Sequence, residues 1–411
     1  MNNRKLRFFV VDDDPNFVEL VCSLLEHRGQ TITGLIGSEN AFQQIVDAAP
    51  DCVLIDLMMP GTDGLELCKQ LNDRKVLSHT KFIIVSGKPY EVDRARSFEF
   101  GAHGFINKPI NHDTFLDTVF RIIDDKMELT FWGVRGTLPV PGEGSLIYGG
   151  NTSCVSIEFA KGQLLIFDAG SGIKNLSDHL AGQGRRRLEA KILISHPHWD
   201  HINALPFFTP LYVPGNEFEI MGASNGNVNM RQMISAQMDG TYFPIRLKQF
   251  GSRVYFRDLE EEEFSIGDGI AIKTKMLNHP GKCLGYRVEY KGRSICYVTD
   301  NELDLEDSEY FNPFYVKNLI AFIQGADVLI TDTTYSDEEY KSKVGWGHSC
   351  VSRVVDLAHD AGIKNLHLFH HDPDQTDGDI DNKLADAQAL LTEKGSETRC
   401  TAPKERQVFK I

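Results

Sequence analysis

The sequence predicts an α/β protein of two units, the first of which is a doubly wound parallel sheet. Short apolar runs alternate with amphipathic segments over the first 125 residues, which is typical of βα units on a parallel sheet. The predicted strands there are residues 8–11, 52–55, 82–85 and 104–106, and each run ends in a polar or acidic residue. Apolar residues at helical spacing from Phe115 to Ile123 predict a last helix that closes this unit near Asp125.

A second unit begins where this pattern changes. From Met127 onward, predicted strands at 128–132, 154–159 and 163–167 are separated by glycine-rich turns, and strands, helices and loops then alternate to the C-terminus. We place the two units at residues 1–125 and 127–411. Because the junction between them is too short to be a flexible tether, we expect them to be mechanically coupled.

Composition and charge exclude several classes of protein. Hydrophobic residues make up 41% of the 411 residues, which excludes global disorder and collagen-like repeats. A net charge of −15 should repel nucleic-acid backbones and anionic lipid, so a nucleotide-like ligand would need a local site. There is no signal-peptide core, no long apolar run and no CxxC pair among the eight cysteines. We therefore expect a soluble, cytoplasmic protein with reduced thiols.

Chemically active side chains follow the predicted strands of the first unit. They are Asp12, Asp13, Asp56, Ser86 and Lys108. Since the carboxyl ends of parallel strands meet at one edge of a sheet, the carboxylates should cluster there, and such a cluster suits Mg²⁺. One carboxylate could then attack a phosphoryl group, while the serine bonds the new oxygen and the lysine supplies positive charge. The alternative is that three acids merely cap strands in an inactive scaffold.

The motifs VVDDDP, LIDLMMPGTDG, IIVSG and INKP, in this order and spacing, resemble the receiver domain of two-component response regulators. The resemblance implies a flavodoxin-like fold, with Asp56 as phosphoacceptor and a sensor histidine kinase as phosphodonor. The implied magnesium ligands are Asp12, Asp13, Asp56 and the carbonyl of Met58, and the implied switch residues are Ser86, Phe105 and Lys108. Receivers often pair through the face that bears the last helix, so a homodimer is one expectation.

Three imidazoles and a carboxylate fall within six residues after the apolar run 191–194. They are His196, His198, Asp200 and His201, and such a cluster at a strand end can present ligands to two neighbouring cations. Further candidate ligands follow other apolar runs: His279, Asp300 and His370. His371 stays an alternative to His370, because a slip of one residue turns the other ring inward.

This pattern, an HxHxDH motif followed by a distant histidine, an aspartate and a final histidine, resembles the metallo-β-lactamase fold. The segments FWGVRGTLPVPG, YGGNTS, FDAGSG, GWGHS and FHHDP place the resemblance nearest the ribonuclease Z and class II cyclic-nucleotide phosphodiesterase branch. It spans essentially residues 127–411 and implies an αββα sandwich. The implied ligands are His196, His198 and His279 for one metal and Asp200, His201 and His370 for the other, with Asp300 between both.

The ligand chemistry narrows the reaction. Imidazole and carboxylate ligands favour zinc, with manganese or iron as alternatives, and a two-metal centre suits in-line hydrolysis at phosphorus. The candidate catalytic residues are Asp200 and His348, and His348 could be a general acid or a phosphate binder, or merely a loop residue that caps a helix. Asp168 and Asp332 could orient the metal-binding imidazoles, or could be turn-forming aspartates.

The favoured hypothesis is a response regulator whose output is a dinuclear-metal phosphodiesterase. Its substrate would be a cyclic nucleotide or another small phosphodiester, and phosphorylation of Asp56 would regulate it. A ribonuclease Z-like RNA hydrolase is less favoured, because the segment between His201 and His279 has dispersed basic residues and no Lys/Arg-rich arm. A thioester or lactone hydrolase stays open, as does a non-enzymatic alternative, a phosphorylation-dependent interaction module with a structural metal site.

Overall fold

The structure, a computed structural model, describes residues 5–87, 91–183, 187–241 and 243–411. Its contacts divide the chain into two units, one of Met1–Met127 with Glu158–Gln163, and the other of Glu128–Ile157 with Leu164–Ile411. Within the described ranges, no helix combines the length and the apolar character that a membrane span needs.

The first unit has the predicted doubly wound parallel sheet. Its strands are β1 (Arg7–Asp12), β2 (Thr31–Ile36), β3 (Cys52–Asp56), β4 (Met58–Met59), β5 (Thr62–Asp63), β6 (Lys81–Ser86) and β7 (Gly104–Asn107). Its helices are α1 (Pro15–His27), α2 (Ala41–Ala48), α3 (Gly64–Asn72), α4 (Glu91–Glu99) and α5 (His112–Asp124). In the described residues, the main sheet has the order β2-β1-β3-β6-β7 and its strand pairs are parallel.

Both faces of this sheet are covered by helices. Successive side chains of a strand point to opposite faces, and accordingly Phe9 and Val11 pack in a cluster with α2 and α3. Phe8 and Val10 pack in a second cluster with α1 and α5. Burial on both faces explains why the central strands are continuous apolar runs in the sequence.

The described residues of the second unit form two sheets. Its strands are β8 (Glu128–Gly133), β9 (Cys154–Glu158), β10 (Leu164–Phe167), β11 (Glu189–Ile194), β12 (Glu217–Ala223), β13 (Arg253–Leu259), β14 (Glu263–Ser265), β15 (Ile270–Leu277), β16 (Cys283–Tyr290), β17 (Arg293–Val298), β18 (Val328–Asp332), β19 (Asn365–Phe369), β20 (Arg399–Thr401) and β21 (Val408–Lys410). Its helices are α6 (Ile173–Gly182), α7 (Trp199–Ile202), α8 (Met230–Gln237), α9 (Pro313–Ile323), α10 (Asp337–Tyr340), α11 (Val351–Asp360) and α12 (Asp377–Glu393). In the described residues, the sheets have the orders β13-β12-β11-β10-β9-β8-β21 and β14-β15-β16-β17-β18-β19-β20.

Aromatic side chains fill the space between these two sheets. The ring of Phe167 on β10 lies 5.8 Å from that of Tyr286 and 5.1 Å from that of Tyr297, centroid to centroid. Phe131 on β8 lies 6.0 Å from Phe369 on β19. Helices α6, α7 and α8 pack on the other face of the first sheet, and α11 packs on β18 of the second. These layers confirm the predicted αββα sandwich.

Candidate functional site

The candidate site of the second unit is built from residues at the carboxyl ends of strands. Strands β10 and β11 are parallel, and so are β17, β18 and β19. In open sheets, ligands gather beyond such strand ends. β15 runs in the same direction as β17, because both pair antiparallel with β16. The residues at or just after the ends of these six strands are Asp168 (β10), His196 (β11), His279 (β15), Asp300 (β17), Asp332 (β18) and His370 (β19).

A first group of three histidines lies on one side of Asp300. The ring of His196 is 4.3 Å from that of His198 and 4.8 Å from that of His279. His279 Nε2 lies 3.2 Å from His198 Nδ1. The Nε2 atoms of His196 and His279 lie 3.5 Å and 3.8 Å from Asp300 Oδ2. These four residues can therefore share one cation.

A second group lies on the other side of the same carboxylate. His201 Nε2 is 3.1 Å from Asp200 Oδ2 and 3.2 Å from Asp300 Oδ1. His370 Nε2 is also 3.1 Å from Asp200 Oδ2 and 3.2 Å from Asp300 Oδ1. Asp300 thus presents one oxygen to each group, and the structure brings together all seven residues predicted as metal ligands.

The side chains of both groups suit divalent ions. The Nε2 atoms of His196 and His201 are buried and make no hydrogen bond, although buried polar atoms normally have a partner. In the first group, burial, with the neighbouring His201, lowers the pKa of His196 well below its usual value. A neutral imidazole is the form that binds a metal. Imidazole and carboxylate donors suit zinc, manganese or iron, so these residues fit a pair of such ions.

The structure places His370, rather than His371, at the centre. His370 has a φ of 61° and directs Nε2 to the two aspartates. The ring of His371 is buried elsewhere, 6.2 Å from the ring of Tyr148, and its nitrogens make no hydrogen bond.

Three of the aspartates and histidines of the site have left-handed backbone conformations. Asp168, Asp300 and His370 have φ values of 57°, 43° and 61°. Such a conformation costs a residue other than glycine on the order of 1–3 kcal/mol, and it persists only where surrounding contacts maintain it. Each of these residues directly follows a strand or lies two residues beyond one. The strain is therefore concentrated where the chain turns its side chains toward the site.

Asp168 fixes the orientation of the His201 ring. Its Oδ2 lies 2.8 Å from His201 Nδ1 and accepts a hydrogen bond of 2.7 Å from the hydroxyl of Tyr297. Its Oδ1 accepts one of 2.7 Å from the backbone N–H of Ser195. These bonds leave His201 Nε2 directed at Asp200 and Asp300. Tyr297 was not predicted, because it lies within an uninterrupted apolar run.

We expect Asp168→Asn to lower the metal affinity of the second group by about 10–100-fold, as removal of such orienting partners does. The amide has one acceptor oxygen in place of two, so it cannot accept all three bonds. Competition with a chromogenic chelator measures the affinity. Asp178→Asn is the matched control, because Asp178 lies on the exposed face of α6 and pairs with Lys174. Equal affinities for both variants would contradict this role.

His348 lies beside both groups of ligands. Its ring is 5.2 Å from that of His279 and 4.9 Å from that of His370. Its Nδ1 lies 2.7 Å from Asp332 Oδ2. Although burial acts to lower it, the charge and hydrogen bond of Asp332 raise the pKa of His348 to about 9. His348 can therefore hold a proton at neutral pH within reach of a ligand in the site.

Several supporting contacts were not predicted from the sequence. The backbone N–H of Thr137 donates to Asp200 Oδ2 at 2.8 Å. Thr334 Oγ1 lies 3.1 Å from His370 Nδ1, and His279 Nδ1 lies 2.9 Å from the carbonyl oxygen of Gly347. At Gly136, a Cβ atom would come within 2.2 Å of the His370 ring. Gly136, Thr137 and Gly347 lie in glycine-rich segments, which were the sequence signal for their contacts, whereas Thr334 lies in a segment without glycine.

In the first unit, a lysine links two of the predicted carboxylates. Lys108 Nζ donates to Asp12 Oδ2 at 2.6 Å and to Asp56 Oδ1 at 2.7 Å. Asp56 Oδ2 accepts a hydrogen bond of 2.7 Å from the backbone N–H of Met58, while Asp13 is exposed. The close His/Asp clusters found among the described residues all lie in the second unit. The magnesium site at Asp12, Asp13, Asp56 and Met58 stays a prediction.

The two remaining switch residues lie on neighbouring strands. Ser86 is buried at the end of β6, and Phe105 is half-buried on β7. The strands pair in parallel, with Ser86 opposite Asn107. Their predicted role as a switch stays a prediction.

Two family models match the chain. Residues 8–120 match the response regulator receiver domain, and residues 165–371, about half of the chain, match the beta-lactamase superfamily domain. Each match lies within one of the two predicted domains.

Curated relatives match the first unit. Transcriptional regulatory protein ResD of Bacillus subtilis is 34% identical over 105 residues, which are 26% of this chain and 42% of ResD. Protein PilH of Pseudomonas aeruginosa is 28% identical over 117 residues, which are 28% of this chain and 97% of PilH. The chain thus spans less than half the length of ResD.

A solved structure matches the second unit. The metallo-beta-lactamase fold protein YhfI from Bacillus subtilis has a TM-score of 0.50 and 17% identity, and the match covers 70% of this chain and 100% of that chain. At this identity, the likeness concerns the fold.

Proposed function

The chain belongs to the beta-lactamase superfamily, and we propose that its second unit is a metal-dependent hydrolase of a small phosphodiester such as a cyclic nucleotide. The observation that carries this proposal is the position of Asp300, whose two oxygens face the two separate groups of candidate ligands. A pair of divalent ions held by these groups would stabilise charge on the attacking and leaving oxygens of an in-line displacement at phosphorus.

The protein's own residues would hold the two ions and orient the ligand side chains. His196, His198 and His279 would hold one ion, Asp200, His201 and His370 the other, and Asp300 both. Asp168 fixes the ring of His201, as described above, and Thr334 contacts that of His370. Because these partners are buried and hydrogen-bonded, the ligands are preorganised before substrate binds.

His348 is the proposed proton donor to the leaving alkoxide. Its Nδ1 is engaged by Asp332, so the other ring nitrogen is the one available to substrate. Asp332 is itself fixed, because it accepts a 2.7 Å hydrogen bond from Thr334 Oγ1 and one of 3.1 Å from the N–H of Asn301. A histidine held in this way suits general acid catalysis near neutral pH.

The charges around the site favour a small substrate. In the described part of the segment between His201 and His279, four basic side chains are paired with glutamates. The pairs are Arg253 with Glu217, Arg257 with Glu262, Lys273 with Glu263, and Lys275 with Glu261. Long polyanions are bound through many unpaired cations. This segment therefore offers few of the phosphate contacts that binding a large RNA requires.

For the first unit, we propose that Asp56 accepts a phosphoryl group from a sensor histidine kinase and that its phosphorylation changes the hydrolase rate. The match to the receiver family and the contact of Lys108 with Asp12 and Asp56 support this assignment. Mg²⁺ bound near Asp56 would neutralise the charge of the carboxylates during transfer. Pairing of two receivers into a homodimer is part of the same proposal.

A substrate panel tests the hydrolase. The full chain, loaded with zinc or manganese, is assayed against cyclic mononucleotides, cyclic dinucleotides, bis(p-nitrophenyl) phosphate, short RNA, a thioester and a lactone. We expect turnover of the small phosphodiesters and its loss in His196→Ala. His359→Ala, outside both ligand groups, is the control. Turnover of the thioester or lactone alone would contradict the proposal.

A further inference from the structure

Two tryptophans beside the metal-ligand groups are exposed to solvent. Trp199 is 81% exposed and Trp346 is 58% exposed, whereas Trp132 is buried. Each exposed tryptophan is next in sequence to a residue that contacts His279. Large exposed apolar side chains that cluster at a polar site commonly mark a binding surface.

Trp199 is held by the short helix that carries two of the metal-ligand candidates. It is the first residue of α7, between His198 and Asp200. Its carbonyl accepts a 2.7 Å hydrogen bond from the N–H of Asn203, and the N–H of His201 donates to the carbonyl of His198 at 3.0 Å. The backbone of Trp199 is therefore fixed while its indole faces solvent.

Trp346 is held by a buried carboxylate. The N–H groups of its two neighbours, Gly345 and Gly347, each donate to Glu302 at 2.7 Å. The hydroxyl of Tyr340 donates to the same carboxylate at 2.8 Å. Gly347 has a φ of 88°, and a Cβ there would come within 2.4 Å of His279 Nδ1. This loop is therefore fixed against the metal-ligand groups.

The sequence neighbours of the two tryptophans contact the two ring nitrogens of His279. One ring nitrogen of His279 lies 3.2 Å from His198, which precedes Trp199, and the other lies 2.9 Å from the carbonyl of Gly347, which follows Trp346. Lys343 Nζ lies 4.1 Å from the centroid of the Trp346 ring. The ammonium group of Lys343 therefore lies over the face of this indole.

We propose that Trp199 and Trp346 form an aromatic rim that stacks on the base of a nucleotide phosphodiester, with Lys343 near its phosphate. The inference rests on the proposed phosphodiesterase, because the ligand groups beside the rim would take the phosphorus centre. An indole stacks on any base and strengthens binding on the order of 10-fold or more. Since both backbones are already fixed, little ordering opposes binding. The rim selects for a base without selecting which base.

Intrinsic fluorescence tests the rim directly, because two of the three tryptophans belong to it. Adenosine 5′-monophosphate and ribose 5-phosphate are titrated separately into the zinc-loaded full chain. We expect quenching by the nucleotide and none by the sugar phosphate. Titration calorimetry then gives the affinities of variants: Trp346→Ala and Trp199→Ala should each bind the nucleotide about 10-fold more weakly. Trp346→Phe should retain most of the affinity.

The control is Tyr255→Ala, since Tyr255 is an exposed aromatic on β13, outside the rim. Its nucleotide affinity should equal that of the wild type. Equal affinity for the two ligands, or unchanged affinity in both tryptophan variants, would overturn the rim. So would a Trp346→Ala chain that changes only in oligomeric state, because the indoles would then cover a second copy.

Kinetics separates the two proposals. With a base-containing phosphodiester, Trp346→Ala should raise KM about 10-fold with a smaller effect on kcat, and an abasic ribose phosphodiester should show no such increase. Nucleotide binding without hydrolysis of any phosphodiester would refute the enzyme and keep the rim. Hydrolysis that ignores the base would refute the rim and keep the enzyme.

Discussion

Asp300→Asn is expected to reduce the rate of hydrolysis by more than about 100-fold. It should also leave fewer than two metal ions bound per chain. Partners that only orient a ligand contribute about 10–100-fold to affinity or activity, and a carboxylate shared by both ions should contribute more. Asp300 is buried, and its two oxygens face His196 and His201, at 3.5 Å and 3.2 Å. An asparagine keeps the shape of the side chain and removes one of the two charged oxygens.

Elemental analysis of the dialysed protein gives the number of ions, and initial rates with the best phosphodiester of the panel give the activity. Asp307→Asn is the control, because Asp307 is exposed and seven residues further along the chain. Circular dichroism checks that both variants are folded. An Asp300→Asn chain with two ions and wild-type turnover would show that the carboxylate is not shared.

Asp56→Asn should abolish phosphorylation of the first unit by acetyl phosphate with Mg²⁺. The amide is not a nucleophile, whereas the carboxylate is held in place by Lys108 and by the N–H of Met58. Intact-mass analysis detects the added phosphoryl group on the wild type. We expect the wild-type hydrolase rate to change when the phosphodonor is added and the rate of Asp56→Asn to stay constant.

The control for this experiment is Asp47→Asn, an exposed carboxylate on α2 that should leave phosphorylation unchanged. Phosphorylation of Asp56→Asn to the wild-type level would move the phosphoacceptor to another residue. Equal hydrolase rates for wild type and Asp56→Asn, with and without the phosphodonor, would remove the regulatory proposal and leave the hydrolase in place.

The central strands of the first unit could be predicted because they are buried on both faces and are therefore continuous apolar runs. Strand β2 could not, since it lies at the edge of the sheet and its residues Thr31, Thr33 and Gly34 are exposed. An edge strand that packs little of its surface leaves no apolar pattern in the sequence. The layers of the second unit followed from the resemblance rather than from periodicity.

The candidate ligands could be predicted because each follows an apolar strand, and strand ends of the same direction converge. The sequence favoured His370 over His371 but could not exclude His371, because the choice depends on the left-handed φ of 61° at His370. The contact of Tyr297 with Asp168 depends on how the two sheets pack against each other, which the sequence does not specify. The rim was not predicted for a similar reason. The loop that carries Trp346 is held by hydrogen bonds from Gly345 and Gly347 to Glu302, which the sequence does not show.

Anomalous diffraction at the zinc edge, from crystals of the zinc-loaded full chain, tests the dinuclear centre most directly. We expect two peaks that share Asp300, one bound by His196, His198 and His279 and the other by Asp200, His201 and His370. A single peak, or peaks away from these side chains, would contradict a dinuclear centre.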